Sequence, residues 1–281
     1  MNGHDETALG GGAVRRKVLR LRGGCLSSRE DALAAEVPVA LAVAGRVRAV
    51  MLATPCDLED FALGFCLSEG IAAAPGDLRQ VAVNRHLEGI ELELDLCADA
   101  TARFAARAQA LEGRSGCGLC GAASLEQVVR VPPAVDADLR LAPAAIATAL
   151  EGLQSRQPIN AACGATHAAA WCDTDGRLLC VREDVGRHNA LDKLIGAWTR
   201  QKQSFAQGFV LLSSRASYEM VMKAAQVGMP LVVAISAPTA LAVVLAEQAG
   251  VTLVGFAREE DCVVYSHPAR IALPEGSQAP G

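Results

Sequence analysis

The sequence predicts a two-part α/β protein, and three observations carry that reading. From Phe209 to Phe256, short and predominantly apolar runs alternate with helical stretches closed by glycine, the pattern of a β-α-β-α-β unit. From Glu36 to Leu111, strand-like runs rich in Val, Ala and Leu are interleaved with helical ones. Between the two, residues 131–143 contain Pro132, Pro133 and Pro143 and read as a linker.

Residues 1–13 are polar and rich in glycine and are expected to be disordered, as are residues 275–281. In the first part, Glu36–Leu52 reads as two strands about a turn at Gly45. Thr54-Pro55 opens a helix over Leu58–Glu69, ended by Gly70, with Leu58, Phe61, Ala62, Phe65 and Leu67 as its apolar face. Val81–Asn84 and Ile90–Leu96 alternate as strands, and Thr101–Leu111 is a helix. The organisation expected is an N-terminal α/β domain over 14–112, a mobile cysteine loop with its linker over 113–143, and a C-terminal α/β domain over 144–274.

In the second part, Ala144–Ser155 is helical. Ala168–Cys172 and Arg177–Arg182 are strands joined by Asp173-Thr174-Asp175-Gly176, a hairpin signal. Asn189–Arg200 is a helix. Phe209–Leu212, Leu231–Ser236 and Val251–Phe256 are buried strands, and Tyr218–Val227 and Thr239–Ala249 are the helices between them. Strands that are apolar throughout imply a parallel sheet covered on both faces.

The chain has 281 residues, of which 51% are hydrophobic and only 4% aromatic, so its core is built from Ala, Val, Leu and Ile. A net charge of −5 argues against a dedicated nucleic-acid binder. Arg15, Arg16, Lys17, Arg20 and Arg22 form a basic run, read as a solvated strand or arm, with a docking patch as the sharper alternative. Arg15-Arg16 is not followed by an apolar segment, so no signal peptide is expected, and no apolar run is long enough to span a membrane without a breaker. The expectation is a cytoplasmic protein whose ten cysteines are thiols.

Two of those thiols stand apart, in Gly116-Cys117-Gly118-Leu119-Cys120-Gly121. The glycines accept backbone angles that other residues refuse, which suits a loop that moves between partners. Four readings are open. A zinc site needs three or four ligands, and one C-x-x-C supplies two. His86-Leu87-Glu88 upstream imitates the H-x-E of zinc deaminases, but it lies between strands and not at a helix start. A thioredoxin-like dithiol would follow a strand, whereas this one follows a helix. Two ordinary surface thiols are the plainest reading. A sulfur carrier needs a thiolate to attack sulfane sulfur, a second thiol to relay or release it, and a loose loop, and this segment fits each demand.

Polar residues at strand ends mark a second candidate region. Ser213-Ser214-Arg215, Ser236-Ala237-Pro238-Thr239 and Ala257-Arg258-Glu259-Glu260-Asp261 lie at the carboxyl ends of the three buried strands, where such sheets bind ligands. The first two lead into helix N-termini, which favour anions; ordinary helix caps are the plain alternative. Asp184, Arg187 and His188 are candidates to line the same crevice. His188 and Asp192, and Asn189 and Lys193, are also i, i+4 neighbours on a helix. His167, before an apolar strand, reads as a buried histidine or a catalytic acid.

Several blocks together resemble a known family. They are Cys117-Gly-Leu-Cys-Gly121, Thr166-His-Ala-Ala-Ala170, Glu183-Asp-Val-Gly-Arg-His-Asn-Ala190 with Asp192-Lys193, Ser214-Arg-Ala-Ser-Tyr-Glu-Met220 and Ile235-Ser-Ala-Pro-Thr239. Upstream are Glu36-Val-Pro38 and Asp57-Leu-Glu-Asp-Phe-Ala-Leu-Gly-Phe65. From about residue 30 to 272 the chain resembles the FdhD family of formate dehydrogenase accessory sulfurtransferases. The resemblance implies a C-terminal part with a cytidine deaminase-like fold and a largely parallel sheet, without zinc. It implies that Cys117 takes sulfur from a cysteine desulfurase as a persulfide, with Cys120 in support. The acceptor it implies is the molybdenum cofactor, as molybdenum-bis-molybdopterin guanine dinucleotide, destined for formate dehydrogenase. The cofactor-binding segment maps onto Phe256, Ala257, Arg258, Glu259, Glu260 and Asp261. The acidic trio would repel phosphate, so backbone N–H groups or Arg258 would do the binding, or the segment would only border the cofactor, with Arg215, Ser214 and His188 as further candidates. A homodimer is implied as well. The alternative from another class is a non-catalytic chaperone that holds the cofactor and docks formate dehydrogenase.

Overall fold

The computed structural model describes residues 11–111 and 132–272. The expected disorder at the two termini, the mobility of the cysteine loop, and Cys117 and Cys120 themselves lie outside the described residues.

The chain opens with a ribbon of two ten-residue strands, β1 (Ala13–Arg22) and β2 (Cys25–Ala34), paired antiparallel. Gly23 and Gly24 turn the chain with φ of 57° and 80°. Both values suit the tight hairpin turn whose twist matches that of the strands. The basic run thus falls on a strand.

A four-stranded sheet follows, built from β3 (Val37–Val43), β4 (Arg46–Ala53), β5 (Leu78–Arg85) and β6 (Ile90–Leu96) in the order β4-β3-β6-β5. β3 and β6 are parallel and both outer pairs antiparallel. Alternation decides its faces: Val39, Leu41, Leu92 and Leu94 are buried, whereas Glu91, Glu93 and Asp95 point the other way. The buried face packs on α1 (Leu58–Ser68) and α2 (Ala98–Leu111), where Phe65 lies 6.0 Å from Phe104, ring centre to ring centre. His86-Leu87-Glu88 sits in the exposed turn between β5 and β6.

Two helices, α3 (Pro143–Leu153) and α4 (Pro158–Cys163), lead into a six-stranded sheet. Its strands are β7 (His167–Cys172), β8 (Leu178–Asp184), β9 (Phe209–Leu212), β10 (Leu231–Ala234), β11 (Thr252–Arg258) and β12 (Asp261–Ser266), in the order β12-β11-β10-β9-β7-β8. β9, β10 and β11 are parallel, as their apolar runs predict. β7 is antiparallel to both β9 and β8, so β8 runs with the parallel strands, and β12 is antiparallel to β11.

Right-handed crossovers put both helices of the β9–β11 unit, α6 (Tyr218–Gln226) and α7 (Ala240–Ala249), on one face. There Trp171, Val210, Val232 and Leu253 join the same apolar core as the four-stranded sheet. The other face, with Ala170, Phe209, Leu211 and Val233, packs against α3 and the segment around Leu141.

α5 (Arg187–Arg200) crosses α1 at unusually close range. A Cβ added at Gly64 would lie 1.7 Å from the Asp192 carbonyl oxygen, and one at Gly196 would lie 1.9 Å from that of Asp60. Only glycine lets these two backbones touch. The contact locks the N-terminal part to the C-terminal part through one continuous core.

Candidate functional site

Strand direction gathers the polar blocks at one edge. β8, β9, β10 and β11 all end there, and β7, running the other way, begins there with His167. α5, α6 and α7 each start from that edge, capped by Gly186, Ser217 and Thr239. Three helix N-termini place free N–H groups and dipole ends on one rim. Thr239 is an ordinary cap: its Oγ1 accepts from the N–H of Ala242 at 3.3 Å. The loops after β9 and β10 are stitched together, the N–H of Thr239 donating to the carbonyl of Ala216 at 3.0 Å. Phe256 N–H donates to the Ser236 carbonyl at 3.2 Å. A Cβ at Gly255 would lie 2.7 Å from Pro238 Cδ, so the second loop lies directly on β11.

Asp184 is fully buried at the end of β8. Its Oδ1 accepts from the N–H of Gly186 at 2.8 Å and from Asn189 Nδ2 at 2.9 Å. Its Oδ2 lies 2.7 Å from Lys193 Nζ and accepts from the N–H of Thr54 at 3.0 Å. Thr54 answers twice, its carbonyl accepting from Lys193 Nζ at 2.8 Å and its Oγ1 from the N–H of Val185 at 3.1 Å. With every near oxygen position taken and no solvent contact, Asp184 fixes the start of α5 and does not line the crevice. Glu183 plays a similar part for α4, accepting from the N–H groups of Ile159 and Asn160 and from Thr166 Oγ1.

A second buried network lies further along α5. Lys223 Nζ donates to both carboxylate oxygens of Asp192 at 2.9 Å and to Ser68 Oγ at 2.9 Å, and lies 3.1 Å from Glu69. Ser68 Oγ donates to Asp192 at 2.6 Å. Arg107, in the last described turn of α2, closes the string on Glu69 with two hydrogen bonds of 2.6 and 3.0 Å. Burial works against the Lys223 ammonium, yet Asp192 and Glu69 together hold its pKa above the ordinary lysine value. The i, i+4 partners suggested by the sequence do not pair: Asp192 binds Lys223, not His188, and Lys193 binds Asp184, not Asn189.

What faces the edge is a smaller set. His188 Nε2 lies 2.8 Å from Glu219 Oε2, linking the first turns of α5 and α6. His167 is half-buried, and burial, with Arg187 and His188 adding to it, lowers its pKa below 6.5 against the opposing pull of Asp184. Arg187 Nε and Ser217 Oγ are shielded from solvent without a hydrogen-bond partner. Ser214 is buried, its hydroxyl donating to the carbonyl of Arg215, and Arg215 is exposed. Ser213 Oγ accepts from the N–H of Ala168, so it joins strands.

The segment Phe256–Asp261 is a hairpin at the same edge. Phe256, Ala257 and Arg258 belong to β11, and Asp261 opens β12, so the strand runs two residues past its predicted end. Phe256 and Glu259 take left-handed φ values of 53° and 52°, which throws the register and turns the Phe256 ring outward. Ala257 is buried, whereas Arg258, Glu259, Glu260 and Asp261 are exposed. Thr54, Ser68, Glu69, Arg107, Lys223 and Glu219 were not legible as partners in the sequence. One signal was present: Lys223 interrupts the apolar run Met220-Val221-Met222 and Ala224-Ala225, where a lysine needs buried carboxylates.

Comparison with known proteins adds a lineage to this geometry. A family model described as the FdhD/NarQ family matches residues 34–272. A protein named sulfur carrier protein FdhD from Xanthomonas campestris pv. campestris (strain B100) is 56% identical over 273 residues, which cover 97% of each chain. A protein of the same name from Cupriavidus necator is 52% identical over 254 residues, 90% of this chain and 88% of its own. A crystal structure from Desulfotalea psychrophila, described as a candidate formate dehydrogenase accessory protein, superposes with a TM-score of 0.70 at 26% identity. The superposition covers 92% of this chain and 99% of that one. The match to the family model over most of the described fold, and identity above one half along nearly the whole length, show that this chain belongs to the FdhD/NarQ family.

Proposed function

We propose that this protein is a sulfur carrier that serves formate dehydrogenase, receiving sulfur on Cys117 from a cysteine desulfurase and delivering it to the molybdenum cofactor. The relatives' name, sulfur carrier protein FdhD, supports the class. The observation that carries the cargo is the crowded sheet edge. There three helix N-termini meet, and the shielded, unpartnered Arg187 Nε and Ser217 Oγ offer donors to an anion. Phosphate-linked guanine dinucleotides are such anions.

The Cys117 thiolate attacks the sulfane sulfur of the donor's persulfide. One S–S bond forms as another breaks, the donor cysteine leaves as a thiolate, and Cys117 becomes a persulfide with no net oxidation. The terminal sulfur then passes to the cofactor: the Cys120 thiolate attacks the inner sulfur of the persulfide, the S–S bond to the outer sulfur breaks, and that sulfur leaves at sulfide level as a Cys117–Cys120 disulfide forms. In a relay, Cys120 attacks the outer sulfur instead and Cys117 leaves as a thiolate. Five other thiols compete poorly. Burial raises the pKa of Cys56, Cys66, Cys172, Cys180 and Cys262, which starves each of thiolate. A cytoplasmic setting accords with this chemistry.

Incubation with a cysteine desulfurase, cysteine and labelled sulfur tests the reading. Wild-type protein acquires label that thiol reductants release, and the Cys117→Ala variant does not. Equal labelling of the two would end the proposal.

A further inference from the structure

The first turns of α5 and α6 meet at the sheet edge, and their charges form a ladder. His188 is the second residue of α5 and Glu219 the second of α6, and His188 Nε2 lies 2.8 Å from Glu219 Oε2. One turn further along both helices, Asp192 and Lys223 pair at 2.9 Å with the charges exchanged. This lower rung is buried and tied to Ser68, which holds the two helices in register and keeps the upper pair together. The upper rung is the more open one, its side chains 24% and 21% exposed against 7% and 2% for Lys223 and Asp192. His188 Nε2 is itself shielded, so that exposure belongs to the rest of the ring.

The position of His188 is a poor one for a cation. A helix N-terminus carries positive potential, and Arg187 precedes His188 on the same turn. His167, at the start of β7, is within electrostatic reach of both, and Asp184, at the end of β8, is taken up by Lys193. Arg215, on the loop before α6, is exposed. Glu219 is the counter-charge that His188 meets, and the start of α6 favours that carboxylate. The pair therefore has two charge states. With the imidazole neutral it carries one negative charge, and the carboxylate opposes any anion at the edge. With the imidazole protonated the pair is neutral overall. The ring then adds a cation to the turns that carry Arg187 Nε and Ser217 Oγ, shielded donors without a hydrogen-bond partner among the described residues.

We propose that His188 is the residue that neutralises a phosphate-type anion at this edge, that Glu219 positions it, and that the anion binds with uptake of a proton by the ring. The proton comes from solvent as the anion arrives, and no bond other than that N–H forms or breaks. Binding and protonation favour one another reciprocally, so affinity rises as the pH falls. The proposal rests on the sulfur-carrier reading in one respect, that the edge holds the cargo. Transfer of sulfur to Cys117 does not pass through the pair, so the two ideas fail separately.

Inorganic sulfate is the probe, because it keeps both its charges from about pH 5.5 to about pH 8, on either side of the ordinary imidazole value of about 6.5. NMR titration of the full chain reads its affinity at both ends of that range, with circular dichroism as the folding control. Wild type should bind sulfate about tenfold more tightly at the lower pH, the effect of one unit of charge at close range. The two substitutions should then act in opposite directions. His188→Gln leaves the carboxylate unopposed and should lower the affinity at the lower pH to near the wild-type value at the higher one. Glu219→Gln removes the carboxylate and should raise the affinity severalfold at the higher pH, whereas loss of a merely structural pair would weaken binding in both variants. His167→Gln should keep the wild-type dependence. Calorimetry in buffers of different ionisation enthalpy should show proton uptake in wild type that His188→Gln abolishes. A wild type that does not bind sulfate, an affinity indifferent to pH, or weaker binding by Glu219→Gln at the higher pH overturns the proposal. Those outcomes leave the labelling of Cys117 untouched, whereas an unlabelled Cys117 beside pH-linked sulfate binding overturns the sulfur-carrier reading instead.

Discussion

The backbone N–H of Thr54 donates to Oδ2 of Asp184 at 3.0 Å, although 130 residues separate them. Thr54 follows the edge strand of the first sheet, and Asp184 ends a strand of the second. The bond is one of several by which the first part of the chain sets the helix start that carries Arg187 and His188.

Asp184 also faces the buried Lys193 ammonium, so its removal leaves a buried cation without its counter-ion and with only the Thr54 carbonyl close by. Asp184→Ala is expected to lower unfolding stability by about 3–5 kcal/mol. The urea midpoint checks this. The double variant Asp184→Ala/Lys193→Met should recover much of the loss, because no uncompensated charge then remains.

Gly64 meets the backbone of α5 with no space for a methyl group. Gly64→Ala must push the helices apart and is expected to cost about 3 kcal/mol or more, at the upper end for overpacking. Gly45, at an open turn with nothing near its Cβ, provides the contrast for steric crowding. There alanine incurs only the strain of φ 70°. Thermal unfolding of both variants separates the two effects.

His167 titrates below 6.5 in the folded protein because burial, Arg187 and His188 all oppose its charge, and Asp184 only partly offsets them. The unfolded chain therefore binds more protons between the lowered value and 6.5. Stability from this group is fully present above about pH 6.5 and is lost as the pH falls through the folded value. His167→Gln should flatten that part of the stability–pH curve. An NMR titration of the His167 ring should give a midpoint below 6.5, and a midpoint at or above it would contradict the assignment.

Thiol chemistry should follow burial. Cys66, pushed up to about 12 mainly by burial, and Cys172, raised still further, should resist iodoacetamide in native protein. Cys25, exposed at the ribbon tip, should react readily. Peptide mass spectrometry before and after denaturation reads the difference.

Five of the six strands of the six-stranded sheet were legible because their signals are local. Phe209–Leu212 is apolar at every position because both faces are covered, and its predicted ends coincide with the observed ones. β1 and β2 were harder to see. The basic run suggested at most a strand or arm, and the Gly23-Gly24 turn is the hairpin signal that could have completed it. A ribbon with no buried face has no alternation of apolar and polar residues for periodicity to detect. β12 has a related cause: it is a short edge strand whose partly buried residues look like a loop.

The sequence by itself determined the periodicities, and with them most helices and strands, the glycine-flanked thiol pair and the family. It also placed polar residues at the strand ends, since strand direction alone decides which end carries them. Only the tertiary structure decided which of those residues are scaffold and which face the edge. Asp184 and Arg187 sit three positions apart and look equally suited to a crevice. One is consumed by Thr54 and Lys193, while the other keeps a shielded nitrogen without a partner. The physical reason is that a side chain's role is set by what packs against it. For Asp184 one of those neighbours, Thr54, arrives from 130 residues away.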